Sequence, residues 1–199
     1  MLSEIAPPVQ QRKAAPIPVK IVVAGGFCVG KTTFVGAISD IDPLTTEAAM
    51  TSVGEEVDDR GGVSTKTTTT VAMDFGRVKV DESIVLYIFG TPGQDRFGFM
   101  WNDLVRGALG AVVLVDSRRI EDSFPALDYF EDKDMPFVVA VNRFDGDTFH
   151  TSDDVREALS IAPHIPVVAT DARSREAVKD TVLRLLTVAL EQARARASR

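Results

Sequence analysis

Cysteine and long hydrophobic runs are both nearly absent from this chain. The single cysteine, Cys28, cannot form an internal disulfide, which excludes the disulfide-stapled secreted domains and indicates a reducing compartment. No run approaches the ~20 apolar residues of a membrane-spanning helix. The first residues lack a signal-peptide core, and Leu2 stands where N-myristoylation needs glycine. We expect a cytoplasmic protein without direct membrane insertion, recruited to a membrane only by partners.

Excess positive charge is lacking as well. The 22 Lys and Arg residues are outnumbered by 29 Asp and Glu residues, giving a net charge of −7. This excludes a broad basic surface, so no nucleic-acid partner is predicted. A length of 199 residues with 45% hydrophobic content suits one globular domain. Residues 1–17, with Pro7, Pro8 and Pro16, predict a flexible N-terminal arm, and residues 18–199 the domain.

The order of apolar segments indicates the fold class. Residues 19–24 form a β-branched run typical of a buried strand, and residues 67–80 with 84–89 predict an antiparallel hairpin. Strand and helix patterns then alternate to the end of the chain. This predicts a three-layer α/β/α fold with a mostly parallel six-stranded sheet, which binds ligands at the carboxyl ends of its strands. Residues 40–66 show no clear period and predict a long loop, which in a compact domain is usually either functional or mobile.

A glycine-rich segment follows the first strand. It reads GGFCVGKT and matches the phosphate-loop pattern G-x-x-x-x-G-K-[ST] without a mismatch. Its backbone N–H groups would surround phosphate at a helix N-terminus, Lys31 would reach the β- and γ-phosphates, and Thr32 would bind Mg²⁺. A chance match is disfavoured by the strand before the loop and the helical pattern after it. We interpret Cys28 as a small buried spacer rather than a redox switch. The predicted phosphate-binding residues are Gly25, Gly26, Phe27, Cys28, Val29, Gly30, Lys31, Thr32 and Thr33.

A second polar cluster ends the apolar run at residues 137–141. Asp145 could accept hydrogen bonds from N1–H and the N2 amino group of guanine, a donor pair that adenine does not offer. Asn142 could bond the base and connect to the phosphate loop, and Arg143 could stack on the ring. The alternative is a surface turn in which Asp145 caps a helix.

Together these segments resemble a known family. The motifs GGFCVGKT, TVAMDF, FGTPGQDRF, NRFD and TDAR, in this order, resemble the small Ras-like GTPases. In spacing they are most similar to the bacterial GTPase of actinobacterial conservon operons, and more distantly to MglA-like GTPases. The resemblance covers about residues 19–190. It implies a Ras-like P-loop NTPase fold, GTP and GDP with Mg²⁺ as cofactors, slow GTP hydrolysis, and a role in signal transduction.

The resemblance also implies roles for single residues. Thr70 would sense the γ-phosphate and bind Mg²⁺ beside Thr32. Gly93 would donate its N–H to the γ-phosphate, and Gln94 would orient the attacking water, so that Gln94 and Lys31 are the predicted catalytic residues. The TDAR motif would complete the base site with Asp171, Ala172 and Arg173, the Ala172 N–H facing guanine O6.

The assignment of Thr70 leaves alternatives open. Four other threonines crowd it, so the register could slip. The threonine run could also be a strand edge with no metal role, since threonine is common in strands.

Three residues depart from the family pattern. Gly90 stands where Ras-like proteins usually carry the aspartate that holds Mg²⁺ through water, which puts the metal affinity in doubt. Asp58, Asp59 or Asp116 could compensate, although each reads more readily as a solvated loop residue or a helix cap. Arg143 replaces a lysine and Pro92 replaces an alanine, and both changes should be tolerated.

The family implies protein partners as well. Residues about 45–70 and 90–106 would form a nucleotide-dependent surface, with a roadblock-fold regulator and a sensor-kinase complex as partners. Two alternatives remain at this stage. One is a P-loop ATPase or small-molecule kinase, and the other is a guanine-nucleotide-binding scaffold that does not hydrolyse GTP.

Overall fold

A computed structural model describes residues 15–42, 44–52, 67–93, 100–145 and 150–198. A short 3-10 turn, Ile120–Ser123, precedes the third helix. No helix in these ranges is both long and apolar enough to cross a membrane. The helices and strands are β1 (Ile17–Ala24), α1 (Lys31–Ile38), β2 (Leu44–Ser52), β3 (Thr67–Lys79), β4 (Ile84–Gly90), α2 (Trp101–Val105), β5 (Gly110–Val115), α3 (Phe124–Asp132), β6 (Phe137–Asn142), α4 (Ser152–Ala158), β7 (Val167–Thr170) and α5 (Arg175–Ala197).

The described strands form one sheet in the order β2-β3-β4-β1-β5-β6-β7. The neighbours from β4 to β7 are all parallel, whereas β3 is antiparallel to both β2 and β4. The predicted α/β fold, the mostly parallel sheet and the β3–β4 hairpin are confirmed.

The sheet has one strand more than the six predicted. The added strand, β2, lies within residues 40–66, which were expected to be a loop. It pairs with β3 along its whole length, from Leu44 opposite Phe75 to Ser52 opposite Thr67. Strand formation here depends on the partner strand, and a local hydrophobic period does not report that pairing.

Helices cover both faces of the sheet. In β1, Ile21 and Val23 pack in the cluster that includes α1 and α5, whereas Val22 and Ala24 pack in the cluster that includes α3 and α4. Because both faces are buried, residues 21–24 of β1 and the whole of β5 are apolar without alternation. The largest side chains without exposure include Phe34, Phe130, Ile88, Leu114 and Leu185.

The N-terminal boundary differs slightly from the prediction. Residues 1–14 of the predicted arm lie outside the described residues. Ile17 belongs to β1, pairs with Ile84 and donates its N–H to the Ser83 carbonyl at 2.7 Å. The sheet therefore begins one residue before the predicted start at residue 18.

The parallel strands place several polar segments at one edge of the sheet. The phosphate loop follows β1, Gly90 ends β4, Asn142 ends β6 and Thr170 ends β7. Since the carboxyl ends of parallel strands share an edge, these segments lie side by side, as expected for a ligand site of such a sheet.

Candidate functional site

The phosphate loop has an unusual backbone. Gly25, Cys28 and Gly30 have φ values of 137°, 59° and 106°. A Cβ atom on Gly25 would overlap the Leu114 carbonyl oxygen, and one on Gly30 would lie 2.7 Å from Asn142 Nδ2. The loop is thus closed tightly against β5 and β6, and only glycine fits at these two positions.

Lys31 spans the loop from the first turn of α1. Its buried ammonium donates hydrogen bonds to the Gly25 and Gly26 carbonyls at 2.8 and 2.6 Å. Gly93 lies next to this ammonium, because a Cβ atom on Gly93 would be 2.5 Å from Lys31 Nζ. The structure therefore brings together the predicted phosphate-binding residues Lys31 and Gly93.

The charge of Lys31 is unusually easy to remove. Burial lowers the pKa of this ammonium from 10.5 to about 8, and the nearby Asp74 carboxylate only partly opposes the effect. A bound phosphate would stabilise the charged form. Nucleotide binding and protonation of Lys31 should therefore be linked.

This linkage predicts weaker nucleotide binding at alkaline pH. With a free-state pKa of about 8, the charged fraction of Lys31 falls as the pH rises from 7.5 to 8.5. We expect the Kd for GDP to rise about threefold over that range, because the bound state needs the ammonium. Fluorescence titration at constant ionic strength measures it, and a flat profile would contradict the prediction.

The tip of the loop faces solvent. Phe27 is 57% exposed, and Cys28 is exposed too. The interpretation of Cys28 as a buried spacer is therefore wrong. Its left-handed backbone, with φ of 59°, belongs to a turn at the surface, where local sequence cannot show which way the side chain points.

Thr32 and Thr33 follow Lys31 in the first turn of α1 and are both exposed. The Thr32 hydroxyl donates a hydrogen bond of 2.7 Å to Asp74 Oδ2. A hydroxyl and a carboxylate are the hard oxygen groups that Mg²⁺ prefers, so this pair fits the metal that the phosphate loop implies.

Asp74 is the site residue that sequence analysis missed. It lies in β3 and is only 7% exposed, beside Gly90 of β4. The available signal was an acidic residue between Met73 and Phe75, within a segment that was otherwise apolar or small. The motif TVAMDF drew attention to its first residue, Thr70, instead of its fifth.

The aspartates proposed as substitutes at Gly90 lie elsewhere. Asp58 and Asp59 are outside the described residues. Asp116 is buried, and its carboxylate pairs with the Arg118 guanidinium through two contacts of 2.8 Å. These hydrogen bonds hold the pKa of Asp116 below its usual value. Asp116 is therefore an arginine-bound residue, and neither a solvated loop residue nor a helix cap.

Asn142 connects the loops of the base site to the phosphate loop. Its side chain is buried, Nδ2 donates to the Val29 carbonyl, and Oδ1 accepts from the Ala172 N–H, each at 2.9 Å. The predicted tie between Asn142 and the phosphate loop is present. The Ala172 N–H, expected to face guanine O6, is donated to Asn142 in this structure.

Asp145 lies beside the last loop. Its carboxylate is 89% exposed and accepts a 2.8 Å contact from Arg173 Nη1, while the same guanidinium bonds both oxygens of Asp171 at 2.9 Å. These pairs lower the pKa of Asp171 and raise that of Arg173. Arg143 is exposed, and its backbone N–H donates to the Thr170 carbonyl. The six predicted base-site residues, Asn142, Arg143, Asp145, Asp171, Ala172 and Arg173, therefore converge at one edge of the sheet.

The alternative role for Asp145 is a helix cap. The next described helix, α4, is capped by Thr151, which exchanges hydrogen bonds with Asp154 in a capping box. Asp145 therefore does not cap α4, and the capping interpretation loses its support.

Gln94 and Thr70 are two further predicted site residues. Gln94 lies outside the described residues. Thr70 lies within β3, opposite Ala49 of β2 and four residues before Asp74. A strand rises about 3.3 Å per residue. Asp74, whose carboxylate accepts the hydrogen bond from Thr32, lies roughly 13 Å along the strand from Thr70 by that spacing.

A separate cavity of about 610 Å³ lies at the opposite edge of the sheet, near the start of β6. Its lining includes Phe130, Met135, Phe137 and His164. It lies away from the phosphate loop and is not part of this site.

Comparison with known proteins identifies the family. A family model described as "Conserved hypothetical ATP binding protein" matches residues 23–192. The chain belongs to this family. The chain is also 29% identical over 137 residues to the uncharacterized protein MJ1339 of Methanocaldococcus jannaschii, a match covering 68% of this chain and 76% of that protein.

Solved structures show the same fold. The cytosolic domain of the T. maritima FeoB iron transporter matches with a TM-score of 0.60 in its apo form and 0.61 in GDP form I. The identities are 18% and 17%, and the matches cover 87% and 88% of this chain. This chain spans only 64% and 65% of those two structures. The protein is therefore a P-loop nucleotide-binding protein with an α/β fold.

Proposed function

We propose that this protein is a guanine-nucleotide switch that binds GTP and GDP with Mg²⁺ and hydrolyses GTP slowly. The observation that carries the proposal is the pair of hydrogen bonds made by the Asn142 side chain. One holds the phosphate loop through the Val29 carbonyl, and the other holds the last loop through the Ala172 N–H. Asn142 lies three residues before Asp145, whose carboxylate is exposed. A nucleotide whose phosphates fill the loop would present its base to that carboxylate.

The choice of guanine follows from hydrogen-bond chemistry. A carboxylate only accepts hydrogen bonds, and guanine offers two adjacent donors, N1–H and the N2 amino group. Adenine offers an acceptor at N1 and so would leave the carboxylate unpaired. The family description points to ATP instead, so an ATP-binding protein, with ATPase or kinase activity, is the second candidate.

The phosphate chemistry would be in-line attack of water on the γ-phosphate. Lys31 would neutralise charge on the β- and γ-phosphates, and the loop N–H groups would hold them. Mg²⁺, when bound, supplies further neutralisation, with the Thr32 hydroxyl as its ligand. In the proposed scheme Gly93 donates to the γ-phosphate, Gln94 orients the water, and Thr70 adds a switch ligand.

The biological role would be nucleotide-dependent binding of partners in signal transduction. Loops that close on the γ-phosphate relax after hydrolysis, which changes the surface of the domain. The resemblance to the conservon-operon and MglA-like GTPases supports a roadblock-fold regulator and a sensor-kinase complex as partners. Through such a complex the protein would be recruited to the membrane.

The test is titration of nucleotide-free protein with fluorescent GDP, GTP and ATP, with and without Mg²⁺. We expect tight guanine-selective binding that Asp145→Ala weakens at least about a hundredfold, since two hydrogen bonds to a charged group are lost. Asp128→Ala, which removes an exposed aspartate on α3, is the matched control and should bind as the wild type does.

The titration and a hydrolysis assay separate the candidates. Binding of ATP equal to or better than GTP, or an Asp145→Ala variant that binds normally, would overturn the guanine assignment. Single-turnover hydrolysis of bound GTP then distinguishes a slow GTPase from a scaffold that binds GTP without cleaving it.

A further inference from the structure

Asp74 and Gly90 lie opposite each other in the sheet. The register of β3 with β4 pairs Lys79 with Val85 and, at its other end, Phe75 with Phe89, and Asp74 and Gly90 are the next residues along the two strands. Residues directly opposite in an antiparallel pair share one face of the sheet. A side chain at position 90 and the Asp74 side chain would therefore project toward the same space.

The space between β3 and β4 at this point has room for one carboxylate side chain and not for two. Gly90 is not among the glycines with positive φ, so its backbone does not require glycine. A Cβ on Gly90 would instead lie 3.1 Å from both Asp74 Cβ and Asp74 Oδ2. An aspartate at position 90 would press two carboxylates together, which both packing and like-charge repulsion disfavour.

The chemistry of Asp74 suits a metal. Its Oδ2 accepts the Thr32 hydroxyl proton at 2.7 Å, which leaves the lone pairs of the hydroxyl oxygen for a cation. Asp74 also lies near enough to Lys31 to raise the pKa of that ammonium against the effect of burial. Mg²⁺ sites beside phosphates commonly use one or two carboxylates.

We infer that Asp74 positions Mg²⁺ in this protein and takes the place of the aspartate that Ras-like GTPases carry at the position of Gly90. It acts through the Thr32 hydroxyl and places a carboxylate beside the metal. The inference rests on the proposed binding of nucleotide with Mg²⁺. The carboxylate has moved from β4 to the neighbouring strand β3, and glycine at position 90 makes room for it.

The competing role is structural, in which Asp74 only holds α1 to β3 through Thr32. Asp74→Asn separates the two roles, because an asparagine keeps the size and an acceptor oxygen for the Thr32 hydroxyl but removes the charge. The matched control is Asp40→Asn. Asp40 also connects the end of α1 to β3, accepting from the Lys79 N–H at 2.8 Å, but it lies away from the phosphate loop.

The experiment measures the release rate of fluorescent GDP in excess Mg²⁺ and in EDTA. We expect Mg²⁺ to slow release from the wild type and from Asp40→Asn at least about tenfold, and to have little effect on Asp74→Asn. The EDTA rates of all three proteins should agree, which shows that the nucleotide site is intact. The Mg²⁺ concentration for half of the effect should rise at least about tenfold in Asp74→Asn.

A double variant tests whether position 90 can take over. In Asp74→Gly/Gly90→Asp the two residues are exchanged, so the carboxylate returns to β4 without crowding. We expect this variant to regain most of the Mg²⁺ effect. It also decides the question if Asp74→Asn does not fold.

Three outcomes would overturn the inference. They are a full Mg²⁺ effect in Asp74→Asn, a folded exchange variant that binds GDP but ignores Mg²⁺, and a wild type whose release Mg²⁺ does not slow. Failure of the guanine proposal looks different, because the wild type would then prefer adenine nucleotides. The same comparison is then made with fluorescent ADP, whose phosphates are those of GDP.

Discussion

Lys31→Met is expected to weaken GDP binding at least about a hundredfold, because a charge-assisted contact with phosphate is lost inside a buried loop. The ammonium donates to the carbonyls of Gly25 and Gly26 and lies beneath Gly93, where the phosphates would bind. Methionine matches the length and volume of lysine but offers no proton and no charge. Equilibrium titration with fluorescent GDP at pH 7 measures the loss.

The matched control is Lys20→Met. Lys20 lies in β1, its ammonium donates to the Arg106 carbonyl at 3.1 Å, and partial burial lowers its pKa as well. It lies outside the phosphate loop, so its replacement should leave GDP binding within about twofold of the wild type. A Lys31→Met variant that binds GDP within tenfold of wild type would contradict the assignment of the phosphate site.

The same variant should keep its fold. The pKa of Lys31 is about 8 in the folded protein, whereas an ordinary lysine has a pKa of 10.5, so folding disfavours the charged form by about 3 kcal/mol below pH 8. Between pH 8 and 10.5 the unfolded chain binds more protons, and the stability of the wild type should rise with pH. Urea unfolding should show that rise in the wild type and a smaller one in Lys31→Met.

The second large effect concerns recognition of the nucleotide base. Asp145→Asn replaces the two hydrogen-bond acceptor oxygens of the carboxylate by one acceptor oxygen and one donor amino group. Xanthine carries N1–H beside a carbonyl at C2, so the asparagine amide would match it as the carboxylate matches guanine. We expect GDP affinity to fall at least about a hundredfold and xanthosine diphosphate to become the preferred ligand.

Competition titrations of Asp145→Asn with both nucleotides measure this exchange of specificity. Asp128→Asn is the control, since that exposed aspartate lies on α3 and should leave guanine preferred. An Asp145→Asn variant that still prefers GDP would show that Asp145 does not read the base. The pairing of Asp145 with Arg173 would then be its main role.

Much of this protein was determined by sequence alone, because the relevant signals are local. The glycines at positions 25 and 30 meet a backbone requirement within one loop, with φ of 137° and 106°. Residues 21–24 of β1 and all residues of β5 and β6 are buried, which their composition already indicates. The order of these runs and the loops between them predicted the fold and the edge of the sheet that carries the site.

The tertiary structure alone decided the features that depend on distant residues. β2 forms because β3 pairs with it, and the exposure of Cys28 follows from how the loop closes on β5 and β6. Asp74 meets Thr32 across 42 positions in the chain and faces Gly90 across a strand pair. Such contacts produce no periodic pattern in the sequence, since neither partner is unusual for the segment in which it lies. From the sequence, Gly90 therefore indicates only that the usual aspartate is missing. The folded chain shows that the Asp74 carboxylate lies beside that position.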